Sequence, residues 1–233
     1  MQSKTLYVIG DVHGCYNEFK RAVEYILNDV KEPSVVCFLG DYIDRGPASF
    51  EVVDYLVNLK DDELVEWKML MGNHEDMFMA YSQPDDGASS LFGDAWLYNG
   101  GLETQASYDA HNASYETHKA FYEGLLLYYR HSFGSRVVTC VHAAFDPELK
   151  HDEQTRKTML WQRDFNKYKG TYADTDMLVH GHTPVHDVEI HGQQVNLDTA
   201  CVFGNFLTIA KITYDEKEDM INMATVKVPR DEK

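Results

Sequence analysis

Apolar residues in the first third of the chain fall into two alternating periodicities. Residues 5–9 form a short apolar run, and Cys15, Phe19, Ala22, Val23, Ile26, Leu27 and Val30 then recur at helical spacing. This pattern predicts a buried strand followed by an amphipathic helix. Pro33 ends that connection, and residues 35–39 form a second run, β-branched and aromatic. Phe50, Val53, Leu56 and Val57 mark a second amphipathic helix, with Ser49 as its expected N-cap. Residues 67–71 supply a third strand. The order βαβαβ predicts strands joined by helical crossovers.

Beyond this unit the pattern changes. Residues 83–90 are polar and predict a loop. Residues from about 91 to 127 are aromatic-rich and predict helices broken at Asn99-Gly100-Gly101. Residues 83–130 are therefore expected to form a helical insertion. Strands are expected again at 136–141 and 176–179, separated by a charged, irregular stretch that carries Trp161-Gln162-Arg163. One hairpin should follow with arms at 187–190 and 193–198, and another with arms at 205–214 and 220–226. From Pro229 onward the chain is expected to fray. No repeat or linker divides the sequence, which predicts one domain over residues 1–233.

The predicted strands share a feature at their exits. They run into Gly10-Asp11-Val12-His13-Gly14, Gly40-Asp41-Tyr42-Ile43-Asp44-Arg45-Gly46, Gly72-Asn73-His74-Glu75, His142-Ala143 and His180-Gly181-His182-Thr183-Pro184. Any one of these Asp, Asn or His residues alone reads as an ordinary loop residue. Five strand ends that all deliver such groups point instead to one shared centre. Carboxylate, amide oxygen and imidazole together suit divalent Mn, Fe or Zn. The set lacks a thiolate, which argues against a structural zinc site. It is large enough for two ions sharing one carboxylate, and a pair about 3.5–4 Å apart can clamp a phosphate and activate water.

Composition narrows the partners. The chain carries 38 acidic and 21 basic residues, a net charge of −17. That balance argues against nonspecific nucleic-acid binding and against anionic membrane surfaces. An anionic substrate then needs a locally positive site. No secretory leader and no membrane-length apolar run is apparent. The four cysteines lack paired spacing, which predicts reduced thiols and a cytoplasmic protein.

The strand-exit blocks, in this order, resemble the phosphoprotein phosphatase family of metallophosphoesterases, in particular its small bacterial and bacteriophage lambda-type branch. His13-Gly14-Cys15-Tyr16, Asn99-Gly100-Gly101, Leu160-Trp161-Gln162-Arg163 and Leu197-Asp198-Thr199-Ala200 are similar too, so the resemblance runs from about Leu6 to Ile212. It implies an α/β (α+β) fold, with two mixed β-sheets packed as a sandwich, flanked by helices, and metals at the strand ends. It implies Asp11 and His13 on a first metal, Asp41 as a bridge, and Asn73, His142 and His182 on a second. His74 matches the general acid, Asp44 the carboxylate that orients it, and Arg45 and Arg163 the arginines that hold phosphate. The implied cofactors are two divalent ions, manganese in first place, with iron or zinc as alternatives. The implied reaction is phosphomonoester hydrolysis on a phosphoserine or phosphothreonine protein or a small phosphoester, with a metal-bridging hydroxide attacking phosphorus in line. In one respect the chain departs from the family. Its protein phosphatases usually carry Arg before Gly-Asn-His-Glu, where this chain has Met71.

Other readings compete. Symmetrical diadenosine tetraphosphate hydrolysis belongs to a neighbouring branch that typically lacks the second Asp of Gly-Asp-x-x-Asp-Arg-Gly, so Asp44 counts against it. An inactive metal-binding regulator is disfavoured by the intact ligand set with His74 and Asp44. Cys15 and Arg21 match the Cys-x5-Arg nucleophile loop of tyrosine phosphatases, but the residues between them read as helix and Glu18 would repel phosphate. The aromatics from Trp96 to Tyr129 fit helix packing better than a nucleoside-stacking pocket. His180 is expected to end its strand without joining the ligands, and His186 and His191 to lie on a hairpin surface.

Overall fold

A computed structural model describes residues 5–83, 95–165 and 167–231. In chain order it contains β1 (Thr5–Ile9), α1 (Tyr16–Asp29), β2 (Ser34–Phe38), α2 (Ser49–Asn58), β3 (Val65–Met69) and α3 (Asn73–Ser82). A π-helical turn (Leu97–Gly101), α4 (Leu102–Ala110) and α5 (Tyr115–Glu123) follow. Then come β4 (Tyr128–Phe133), β5 (Arg136–Val141), α6 (Arg156–Trp161), β6 (Met177–His180), β7 (Glu189–His191), β8 (Gln194–Asn196), β9 (Phe206–Asp215) and β10 (Met220–Pro229).

The strands form two mixed five-stranded sheets, ordered β10-β9-β1-β2-β3 and β4-β5-β6-β8-β7. In the first, β1, β2 and β3 are parallel and β9 pairs antiparallel with β1. Successive strand residues point to opposite faces, and both faces of β1 and β2 are covered. Leu6, Val8, Val35 and Cys37 face the second sheet, in one core with Val138, Cys140, Val179 and Val195. Tyr7, Ile9, Val36 and Phe38 share the other core with Phe19 and Val23 of α1 and Val53 of α2. Burial on both faces explains why these strands read as unbroken apolar runs. The βαβαβ unit and the sandwich of mixed sheets flanked by helices match the expected fold.

Several local expectations are corrected. β3 begins and ends two residues earlier than predicted; beyond its end the Leu70 N–H donates to the Phe38 carbonyl at the end of β2 and the Met71 N–H to the Leu126 carbonyl. β4, absent from the prediction, pairs antiparallel with β5 across a turn at Gly134. α6 lies in the stretch read as irregular; six residues are too few to show a period. Ser49 is the first residue of α2 and not its cap, which is Ala48. The C-terminal end does not fray at Pro229: β10 reaches that residue, the Asp231 N–H donates to Glu18 Oε1 at 2.9 Å, and Arg21 pairs with Asp231 at 2.8 Å. The polar loop expected at 83–90 lies, apart from Gln83, outside the described residues. The break at Asn99-Gly100-Gly101 is present, with Gly100 at φ 106°. No described helix is long and apolar enough to cross a membrane.

Phe38 tests this packing. It is fully buried and its ring stacks on Trp67 at 5.9 Å and lies 5.7 Å from Phe19. Phe38→Ala should lower unfolding free energy by about 3–5 kcal/mol, measured by urea denaturation. A loss below about 1 kcal/mol would contradict the two-sided core.

Candidate metal centre

The exits of β1, β2, β3, β5 and β6 meet at one end of the sandwich. His13, Asp41, Asp44, Arg45 and His182 all have positive φ, between 46° and 74°. Such values are uncommon for residues with a side chain, and strained backbone of this kind concentrates at functional sites. The buried Glu75 carboxylate holds the loops together. It accepts N–H bonds from Asp41 (2.9 Å), Tyr42 (2.8 Å), Ile43 (3.3 Å) and Gly72 (2.9 Å). Burial, with Asp41 nearby, pushes the Glu75 carboxyl up to about 8, while the Gly72 and Tyr42 N–H groups oppose that shift. Gly72 cannot be larger, because a Cβ there would lie 2.1 Å from Asp41 Oδ1.

Asp41 stands between two groups of ligand-type atoms. Its Oδ2 lies 3.4 Å from His13 Nε2 and 4.0 Å from His74 Nε2. Its Oδ1 lies 3.4 Å from His142 Nε2. Asn73 Oδ1 is 3.0 Å from His142 Nε2 and 2.8 Å from His182 Nδ1. The two groups able to hold a metal ion are thus His13, Asp41 and His74, and Asp41, His142 and His182. Asp11 falls in neither group. It accepts from the His182 N–H at 3.0 Å through Oδ2, while Oδ1 is buried without a partner. His180 is also outside both groups; its Nδ1 lies 3.1 Å from the Gly181 carbonyl.

The residues fit divalent ions. His13 Nδ1 lies 2.7 Å from the Ile43 carbonyl and His142 Nδ1 lies 3.0 Å from the Leu39 carbonyl. These contacts direct an Nε2 lone pair inward, as metal-ligating imidazoles require. Burial pushes His13 down to about 3 and His182 to about 2, and lowers His142, so the rings are neutral donors. Burial raises Asp11 well above its ordinary value, with Asp198 and Asp41 adding to the effect, and raises Asp198 to about 6. Buried acids facing neutral rings, together with the unpartnered Asp11 Oδ1 and His182 Nε2, describe a centre short of positive charge.

The helical insertion completes the site. His74 Nδ1 lies 2.6 Å from Asp44 Oδ2. The Trp96 indole N–H donates to both Asp44 oxygens, at 3.0 and 2.9 Å, and the Thr104 hydroxyl donates to Oδ1 at 2.6 Å. The Asp44 N–H donates to Thr104 Oγ1 at 2.8 Å and to Ser49 Oγ at 3.1 Å. The sequence alone gives no site role to Ser49, Trp96, Thr104 or Glu75, although Glu75 lies in the third strand-exit block and Trp96 in the aromatic stretch. Trp96, Tyr108, Tyr115 and Tyr122 are buried against Phe78, so those rings pack the insertion and form no pocket.

The two arginines differ. Arg45 NH1 lies 2.5 Å from His13 Nε2, and the Arg45 N–H donates to Gly100 O at 3.1 Å. Arg163, just past α6, is exposed, yet its charge lowers His142 and His182. Met71 is buried; Arg156 of α6 donates to its sulfur at 2.8 Å and pairs with Asp76 at 2.7 Å. The alternative nucleophile loop is excluded. Arg21 lies within α1 and bonds the C-terminal segment, and Cys15 is buried beside Arg230.

Strand-end loops that gather carboxylate, amide and imidazole donors on a two-sheet sandwich define a metallophosphoesterase. Residues 4–211 match the calcineurin-like phosphoesterase family, and the chain belongs to it. Asymmetrical bis(5'-nucleosyl)-tetraphosphatase PrpE of Geobacillus thermodenitrificans is 30% identical over 250 residues, spanning 95% of this chain and 93% of its own. The protein of the same name from Oceanobacillus iheyensis is 27% identical, spanning 91% and 89%. A protein serine/threonine phosphatase from Saccharomyces cerevisiae shares the fold, with TM-score 0.53 at 14% identity over 97% of this chain and 80% of its own. The expected membership among metallophosphoesterases holds, while likeness to protein phosphatases is one of fold.

Because each Asp41 oxygen faces a different group, Asp41→Ala should weaken metal uptake at both. Metal analysis after manganese loading should find fewer than one ion per chain. Two ions retained at wild-type affinity would contradict a shared carboxylate.

Proposed function

We infer that this metallophosphoesterase hydrolyses dinucleoside polyphosphates, dividing a tetraphosphate unequally into nucleoside triphosphate and monophosphate. The supporting observation is that relatives named for asymmetrical cleavage align with the chain nearly end to end in both directions. Asp11 and His13 would hold one divalent ion and Asn73, His142 and His182 another, with Asp41 available to both. When bound, the ions supply Lewis acidity toward phosphoryl oxygens and water; the donor types suit manganese, iron or zinc, with manganese the ion expected.

The chain's own groups do the rest. Arg45 presents a planar fork to phosphate oxygens, and Arg163 adds a second guanidinium. Asp44 fixes the His74 ring, whose Nε2 is left to give a proton to the departing oxygen. Water attacks phosphorus in line, and no side chain bonds to phosphorus. A departing nucleotide phosphate is a weak base and needs little of that proton, whereas a serine alkoxide needs it. The 2.6 Å His74–Asp44 contact therefore favours a second reading, a phosphoserine or phosphothreonine protein phosphatase.

Product analysis separates the two. Diadenosine tetraphosphate with manganese should yield ATP and AMP in equal amounts, at kcat/KM well above that of phosphoserine peptides. ADP as the main product would mean symmetrical cleavage. Phosphopeptides turned over far faster would overturn the reading in favour of the second.

A further inference from the structure

Two aromatic rings from distant parts of the chain stand exposed beside the centre. Tyr98 is 90% exposed and Phe203 65%, whereas the other large rings among the described residues of the insertion are buried or half-buried. Both line one open groove of about 490 Å³ with Arg45, Leu102 and Glu103. That volume is in the range of small-molecule sites.

The turns that carry these rings are anchored in the centre itself. Tyr98 lies in the π-helical turn whose Gly100 carbonyl accepts from the Arg45 N–H at 3.1 Å. Gly100 has no room for a side chain, since a Cβ would lie 2.6 Å from Arg45. Phe203 ends a 3-10 turn (Cys201–Phe203) flanked by left-handed Ala200 and Gly204. The Ala200 N–H donates to the buried Asp198 carboxylate at 3.1 Å. The Arg45 guanidinium links ring and centre: Cζ lies 5.7 Å from the Phe203 ring centroid, and NH1 lies 2.5 Å from His13 Nε2.

We propose that the groove between Tyr98 and Phe203 receives the base of a nucleoside polyphosphate whose phosphate chain lies against Arg45, making these two rings specificity-determining residues. The ligand must bring an anion and a flat apolar face joined by a short spacer, which describes a nucleotide: phosphate, ribose, base. Bases stack on exposed aromatic rings with little dependence on sequence, and Arg45 can hold phosphate with its fork while its face rests on Phe203. The groove sets two exposed rings and the apolar Leu97 and Leu102 around one guanidinium, with Glu103 at its edge.

This inference rests on the nucleotide reading above, and a matched ligand pair tests it separately. α,β-Methylene-ADP and methylenediphosphonate share a non-hydrolysable bridge and differ in the nucleoside. Calorimetry on the manganese-loaded enzyme should show the nucleotide binding roughly tenfold tighter or more. Phe203→Ala and Tyr98→Ala should each remove most of that advantage with methylenediphosphonate affinity unchanged, and Phe203→Trp should keep it. Equal affinity of the two ligands for the wild type, or an advantage retained in both alanine variants, would overturn the proposal. Base-dependent binding without diadenosine tetraphosphate turnover would support the groove and defeat the reading. Turnover with KM unchanged in both alanine variants would defeat the groove and leave the reading.

Discussion

The structure depends on one carboxylate accepting four backbone N–H groups. Glu75 ties the turn after β2 to the turn after β3. Without it, the N–H groups of Asp41, Tyr42 and Ile43 would lose their side-chain acceptor in a dry interior, a cost of about 1–3 kcal/mol for each unsatisfied group. With it, Asp41 holds a left-handed backbone, and its two oxygens point at separate sets of imidazoles. The His74 N–H adds a bond to Asp41 Oδ1 at 3.0 Å, so the helix that carries Glu75 also fixes the side chain.

A second layer of constraint comes from the insertion. Asp44 is fully buried, and burial raises its carboxyl despite the His74 contact. Trp96 and Thr104 donate the hydrogen bonds that a buried carboxylate needs, while Ser49 accepts from the Asp44 backbone N–H. The same insertion wraps Gly100 around the Arg45 backbone and sets Tyr98 beside the guanidinium. One segment therefore orients His74 through Asp44, holds the Arg45 backbone and shapes the groove beside it. The strand-end centre and the groove at its rim share a support.

What the sequence displays follows from where burial leaves a pattern. β1 and β2 are legible because two-sided burial produces unbroken apolar runs, and the glycine-flanked exits mark where those strands stop. The residues gathered around Asp41 are legible as a set because each follows such a run. β4 is hidden because Tyr128, Tyr129 and Arg130 are only half-buried, so no clean alternation survives. Asp44's partners are hidden for a different reason. Trp96 and Thr104 lie 52 and 60 residues away, and nothing in the Asp44 loop specifies which donors close on it. Ser49 carries the right composition for a cap, yet its hydroxyl accepts from Asp44 because the left-handed turn at Asp44 and Arg45 brings that N–H to it. Phe203 has no periodic signal at all, since a three-residue turn has no face to bury.

The most direct test of the account is Glu75→Gln, which keeps the shape and replaces one oxygen acceptor with an N–H₂ donor facing backbone N–H groups. A buried backbone N–H left without its acceptor typically costs about 1–3 kcal/mol. Manganese titration followed by calorimetry, with thermal unfolding on the same samples, reads both consequences. The account predicts a lowered melting temperature and weaker binding of both ions together, because both groups include Asp41. Wild-type melting with both ions at wild-type affinity, or loss confined to one ion, would contradict it.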